Sequence, residues 1–205
     1  MNWIEFKSQL FDFGCFGVNQ VYAWQPGFDR NNLARWVRRG YLLRLRQGLY
    51  AFPEYRDRPD MAVYFAGRIY NPSYISLHTA LSAYGLIPES VAQITSVTSL
   101  KTARFANAFA EYSYKSVRED LMFGYEPRLL AGGRTAPYAT REKALLDLLY
   151  LYPFYNTTRE LTELRLDRAA LRADLDRKKL ESFAARYRSL AFANRVRLLQ
   201  EVYEL

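Results

Sequence analysis

One cysteine and one histidine stand among 205 residues, and that scarcity excludes more chemistry than any other feature of the sequence. Cys15 has no partner for an intramolecular disulfide, and the short apolar stretch around it suits a small buried thiol in a reducing compartment. A Ser-His-Asp triad can be built only around His78, which falls within the apolar pattern of a predicted helix and reads as a packed or surface side chain. One Cys and one His leave a metal ion nothing but carboxylates, and no Asp/Glu group has ligand-like spacing, so neither a metal nor a cofactor is expected. The pair Gly132-Gly133 lacks the Lys and Ser or Thr of a phosphate-binding loop and belongs to no Gly-x-Gly-x-x-Gly run; it reads as a turn. Glu142, Lys143 and Asp147 carry groups suited to acid-base work, but Lys143 and Asp147 are spaced i, i+4 and read as a surface pair. No apolar run reaches the roughly 18 residues of a membrane span. Met1 to Leu10 mixes polar with apolar residues, unlike a signal peptide. A cytoplasmic protein without catalytic residues is the expectation.

What is present is positive charge and aromatic bulk. The formal charge is +8, with 17 Tyr and 13 Phe. Clustered Lys and Arg attract phosphate, so an anionic partner is favoured. Met1 to Arg58 carries nine basic and five acidic residues, Pro59 to Thr158 nine and eight, and Arg159 to Leu205 eleven and eight, which puts the excess at the two ends. In the last segment Arg177-Lys178-Lys179, Arg186, Arg188, Arg195 and Arg197 are interleaved with apolar positions; they read as a solvated helical face, with a second anionic contact as the sharper alternative.

Hydrophobic periodicity divides the chain into elements. Trp3, Ile4, Phe6, Leu10 and Phe11 recur at helical spacing, and Val18 to Trp24 fits a second helix before the turn at Gln25-Pro26-Gly27. Asp29 can cap a third, in which Leu33, Trp36 and Val37 share one face and Asn31, Arg35, Arg38 and Arg39 the other, with Gly40 as its stop. The period then alternates: Leu43 and Leu45 face one way, Arg44 and Arg46 the other, and after Gln47-Gly48 a second strand returns over Leu49 to Phe52. Three helices and a hairpin make a winged helix-turn-helix, assigned to residues 1–58, with Pro53 to Pro59 as a linker.

Residues 59–205 read as a mixed α/β unit with a helical C-terminal tail, which makes the whole chain α+β. Its predicted parts are a helix over Tyr74 to Glu89, strands over Ile94 to Thr98, Ala110 to Val117 and Leu121 to Tyr125, a helix over Thr140 to Tyr152 anchored by Leu145, Leu148 and Leu149, and helices from Asp167 onward.

Between Arg30 and Arg46 there are six arginines and no acid. On a winged helix this is the face that meets double-stranded DNA. Asn31, Arg35, Arg38 and Arg39 are suited to the major groove, where Arg bonds guanine and Asn adenine bidentately. Arg44 and Arg46 suit phosphates or the minor groove. The alternatives are a solvated basic face on a protein-interaction module, or a stand-alone transcriptional regulator.

Four separated runs carry a family resemblance. They are Leu33-x-x-Trp36-Val37-x-x-Gly40-Tyr41-Leu42-x-Arg44-Leu45-Arg46-x-Gly48-Leu49-Tyr50; Tyr74-Ile75-Ser76-Leu77-His78-Thr79-Ala80-Leu81 with Tyr84-Gly85-Leu86-Ile87-Pro88-Glu89; Thr95-Ser96-Val97-Thr98; and Ala139-Thr140-x-Glu142-Lys143-Ala144-Leu145-Leu146-Asp147-Leu148-Leu149. In this order they resemble the AbiEi-like antitoxins of type IV toxin-antitoxin systems. The resemblance implies a DNA-binding regulator that represses its own operon from its own promoter. It also implies a second half that counters a toxin of nucleotidyltransferase type, without requiring a stable complex.

Overall fold

The computed structural model describes residues 2–88 and 92–205. The first six elements run α1 (Trp3–Leu10), β1 (Cys15–Gly17), α2 (Val18–Trp24), α3 (Asn31–Arg38), β2 (Leu43–Arg46) and β3 (Leu49–Ala51). The strands form an antiparallel sheet in the order β1-β3-β2. This is a winged helix, and the strand that the sequence pattern does not reveal in it is β1. Three residues are too few to display a period of two, and only pairing of Cys15 with Ala51 and Gly17 with Leu49 reveals the strand. The unit is built on aromatics: Phe6, Phe16, Phe28, Trp36 and Phe52 are buried, and Trp36 lies 4.5 Å from the Phe6 ring and 4.9 Å from Trp3.

The segment read as a linker does not hang free. Pro53–Tyr55 forms a 3-10 turn, and Tyr55 is fully buried, donating its hydroxyl to the Phe11 carbonyl. Next comes α4 (Met61–Ile69), which the periodicity does not reveal. Its Met61, Tyr64, Phe65, Ala66 and Ile69 are all buried, and its partly exposed positions Ala62, Val63 and Gly67 are non-polar too, so no polar stripe marks the wetter side in the sequence.

Beyond α4 lie β4 (Ser73–Ile75), α5 (Leu77–Ala83), β5 (Gln93–Thr98), β6 (Ala103–Ala106), β7 (Glu111–Ser116), β8 (Tyr125–Leu129), β9 (Thr135–Ala139) and α6 (Arg141–Leu151). The six strands form one mixed sheet in the order β6-β7-β5-β4-β9-β8. Three predictions shift here. Tyr74 and Ile75 begin no helix; they are the last two residues of β4, antiparallel to β5 and parallel to β9, and the helix starts at Leu77. It ends at Ala83, ahead of a turn at Tyr84 and Gly85, well short of the predicted end at Glu89, which itself lies outside the described residues. Leu121 to Tyr125 is not a strand: Glu119–Leu121 is a 3-10 turn, and Gly124, at φ 69°, ends the irregular stretch before β8 begins. The strands predicted at Ile94 to Thr98 and Ala110 to Val117 are present as β5 and β7, paired in parallel over their full lengths.

The tail consists of α7 (Thr158–Glu163), α8 (Arg168–Asp174), α9 (Arg177–Ala185) and α10 (Leu190–Tyr203). Side chains of Thr157, Asp167, Asp176 and Ser189 each accept a backbone N–H at a helix start, which is why this polar stretch divides into short helices. Leu171, Leu180, Tyr187, Val196 and Leu199 are buried as the pattern predicts, whereas Leu190 points to solvent.

The largest departure from expectation is Lys143 with Asp147. Their side chains are 0% exposed and form an ion pair of 2.5 Å on the inner face of α6. Asp147 also accepts from Tyr74 (2.9 Å), Ser76 (2.8 Å) and Tyr187 (3.2 Å), while Lys143 donates to the Tyr187 hydroxyl at 2.7 Å. The i, i+4 spacing was right and the surface placement wrong. Spacing reports which residues are neighbours on a helix, not whether that face is covered, and the cover comes from β4 and from Tyr187 in the distant tail. Burial holds the Lys143 ammonium below its ordinary pKa against the pull of Asp147, and burial together with that carboxylate drives the Tyr74 and Tyr187 phenols far above theirs.

Candidate nucleic-acid interface

Helix α3 presents two different faces because its sequence is strongly amphipathic. Leu33 and Trp36 are buried and Val37 half-buried, so this side is fixed to the aromatic core. The opposite side carries Asn31, Arg35, Arg38 and Arg39, all exposed. At the start, the Asp29 carboxylate accepts the Asn31 amide at 2.9 Å and so performs the capping expected of it. At the end, Gly40 at φ 73° donates to the Val37 carbonyl (3.0 Å) and Tyr41 to that of Trp36 (2.9 Å). This paired closure needs a left-handed residue, which glycine supplies without a Cβ penalty. The helix therefore stops at a defined point, and the chain turns at once into the wing. Arg35 is held on the exposed face by a hydrogen bond to the Asn32 side-chain carbonyl.

In the hairpin of β2 and β3 the expected alternation is present: Leu45 is buried, and Arg44 and Arg46 are exposed. Register slips by one residue between Arg44, opposite Tyr50, and Arg46, opposite Leu49, which bends the strand at Leu45. The two arginines consequently differ. Arg44 extends from the wing into solvent. Arg46 turns back, donating to the Ile69 carbonyl at the end of α4 and lying 5.6 Å over the Phe105 ring. Asn107 reinforces the same seam by donating to the Leu45 carbonyl at 3.2 Å. Five of the six sequence-derived residues, Asn31, Arg35, Arg38, Arg39 and Arg44, are thus open to solvent, and the guanidinium of Arg46 is engaged in holding the wing against the sheet.

Further anchors join the winged helix to the rest. Arg134 donates to the Asp12 carbonyl (2.9 Å) and the Tyr55 hydroxyl (3.3 Å), and Tyr64 donates to the Phe13 carbonyl (3.2 Å). Sequence reasoning missed these contacts because they link positions as much as 122 residues apart through backbone carbonyls. A backbone acceptor leaves no mark on residue type.

His78 is half-buried, with its ring 6.0 Å from that of Tyr152. The Cys15 thiol is buried, and burial pushes it up to about 11 despite the nearby Arg68 and Arg134 charges. Among the described residues, no helix is long and apolar enough to cross a membrane.

No curated protein matches the chain. Residues 8–53 match a family model described as a transcriptional regulator, AbiEi antitoxin. The matched segment runs from within α1 through β3, so it covers α2, α3 and the wing that carry the exposed arginines. Over this segment the chain is similar to transcriptional regulators of the AbiEi antitoxin type, in line with the first of its four motif runs.

Proposed function

We propose that this protein is a cytoplasmic, sequence-specific DNA-binding antitoxin that represses its own operon and counters a nucleotidyltransferase-type toxin. The observation that carries the proposal is the open face of α3, where Asn31, Arg35, Arg38 and Arg39 project from a helix fixed on its other side by Leu33 and Trp36. A helix held this way can enter the major groove and set bidentate donors against guanine and adenine edges. Arg44 on the wing is assigned to the phosphate backbone, where it contributes affinity and register without reading sequence. Arg46 is assigned to the seam. Antagonism of the toxin rests on the family likeness and does not require a stable complex between the two proteins. No catalytic step is assigned to any residue.

The test is a gel-shift titration against the protein's own upstream DNA and a scrambled duplex of equal length, at two salt concentrations. Preference for its own DNA that persists at the higher salt is the expected result. Replacing Arg35 and Arg38 with Ala should weaken that preference by about 10-fold or more, since each base contact is worth roughly 1–3 kcal/mol. Arg44→Ala should weaken both duplexes alike and lower the salt slope by about one. Unchanged affinity in the Arg35/Arg38 variant, or equal binding of both duplexes by the wild type, would return the winged helix to the protein-interaction reading.

A further inference from the structure

On the side of the six-stranded sheet where α5 ends and α6 begins, an open cleft of about 420 Å3 is lined by Ala83, Tyr84, Glu126, Pro127, Arg128 and Arg141. Both arginines stack on a single ring: the guanidinium carbon of Arg128 lies 5.4 Å from the Tyr84 centroid and that of Arg141 4.7 Å. Arg128 is braced a second time by Tyr138 at 5.0 Å, and the Tyr84 ring is fixed by its hydroxyl, which donates to the Ala139 carbonyl at 2.8 Å. Stacked guanidiniums lose less freedom on binding than mobile ones, because their planar forks are already oriented.

The donors are only partly used. Arg128 donates to the Ala83 carbonyl at a marginal 3.5 Å, and Arg141 donates to Asp174 at 3.2 Å. Arg128 Nη1 and Arg141 Nε are buried and have no hydrogen-bond partner among the described residues. Those two atoms are closed to solvent, so a ligand in the cleft is met by the remaining guanidinium nitrogens, of which Arg128 Nη2 carries only its one marginal bond. We propose that this cleft binds the phosphate group of a small phosphorylated ligand, with Arg128 and Arg141 as its fork donors and Tyr84 as the platform that holds them. Glu126 at the rim tempers the positive field. The cleft is therefore suited to one phosphate group held by geometry, not to a long polyanion held by charge, and its volume admits a ligand of nucleotide size.

The full-length chain is titrated calorimetrically with inorganic phosphate and, separately, with a nucleoside monophosphate, in chloride buffer. Saturable binding is expected, at least 10-fold weaker in Arg128→Gln and in Arg141→Gln and unchanged in Arg159→Gln, a control at an exposed pair with Glu163. Arg128→Lys retains the charge and loses the fork, so it should fall between wild type and Arg128→Gln; it also carries the test if a Gln variant fails to fold by circular dichroism. Equal affinity for the two probes identifies free phosphate as the source, and tighter binding of the nucleotide identifies a phosphomonoester; either supports the site. Absence of saturable binding, or binding that Arg128→Gln and Arg141→Gln leave intact, overturns it. So does loss of duplex binding in these variants with no binding of either free probe, which would make the cleft a DNA-backbone contact.

Discussion

Replacing Asp147 with Leu should be among the most damaging single changes in this protein, although sequence spacing alone makes it a surface residue. Four donors converge on its carboxylate: Lys143, Tyr187, Tyr74 and Ser76. Leucine leaves all four without that acceptor, in a site with no water access. Removing one partner of a buried ion pair costs about 3–5 kcal/mol, and the stranded hydroxyls place this variant near the upper end. Lys143→Met is milder, about 3 kcal/mol, because the carboxylate keeps three hydroxyl donors. The double variant removes both charges at once and should cost less than the two single changes together, by at least about 2 kcal/mol. Against a total stability of roughly 5–15 kcal/mol, these are large fractions. Urea denaturation followed by circular dichroism and tryptophan fluorescence measures each difference. If both single variants unfold within about 0.5 kcal/mol of wild type, as exposed pairs do, the buried-network argument is refuted; if Asp147→Leu does not fold, Lys143→Met decides.

Three further outcomes are expected. Gly124→Ala should lose about 2–4 kcal/mol in the same denaturation assay, since φ is 69° and a Cβ would meet Phe183 at 2.7 Å and Lys143 at 3.2 Å; an unchanged midpoint would mean that the loop relaxes freely. In alkali, the phenols of Tyr74, Tyr112, Tyr114 and Tyr187 are raised by burial, so the folded state holds protons that the unfolded chain releases above a pH of about 10. Their stabilisation is complete below that pH and is lost above it. Lys143, lowered by burial, contributes an opposite slope of at most one proton below the ordinary lysine value of 10.5. Absorbance at 295 nm should show a fraction of the 17 tyrosines ionising only together with loss of the circular dichroism signal; reversible ionisation of all of them in a native spectrum would contradict this. Finally, Cys15, at about 11 and buried, should react with a thiol reagent at neutral pH at least about 100-fold more slowly folded than in denaturant, because so little of it is thiolate; comparable rates would place the thiol in open water.

Elements with one wet and one dry face are the most legible part of the fold, while α6 and β5, covered almost throughout, are legible from their apolar and β-branched content instead. In α3, Leu33 and Trp36 alternate with arginines at helical spacing, and in β2 Leu45 alternates with Arg44 and Arg46, so periodicity finds both. Two elements that lack such contrast and such length were not legible. Met61 to Ala66 has no polar stripe to phase a helix, and Ser73–Ile75 is too short and too buried to read as a strand. The candidate DNA face was visible because surface charge is a property of residue type. The different orientations of Arg44 and Arg46 were not, because they depend on a bulge and on a carbonyl acceptor at Ile69. Lys143 and Asp147 illustrate the same boundary from inside: their partners Ser76 and Tyr187 lie 71 and 40 residues from Asp147, and only the tertiary fold brings them together.

The enclosure of that ion pair also sets an order of events during synthesis. The winged helix gathers its aromatic core from residues made well before the tail and can collapse early, as earlier-made units do on an emerging chain. Lys143 and Asp147 have no such freedom. Tyr187 follows Asp147 by 40 residues, and until it has been added the pair lacks the phenol that completes its solvation and one wall that keeps it dry. The nascent sheet must therefore remain hydrated on this side while the tail is translated, and a ribosome that stalls between positions 147 and 187 would leave a folded winged helix attached to an unfinished body.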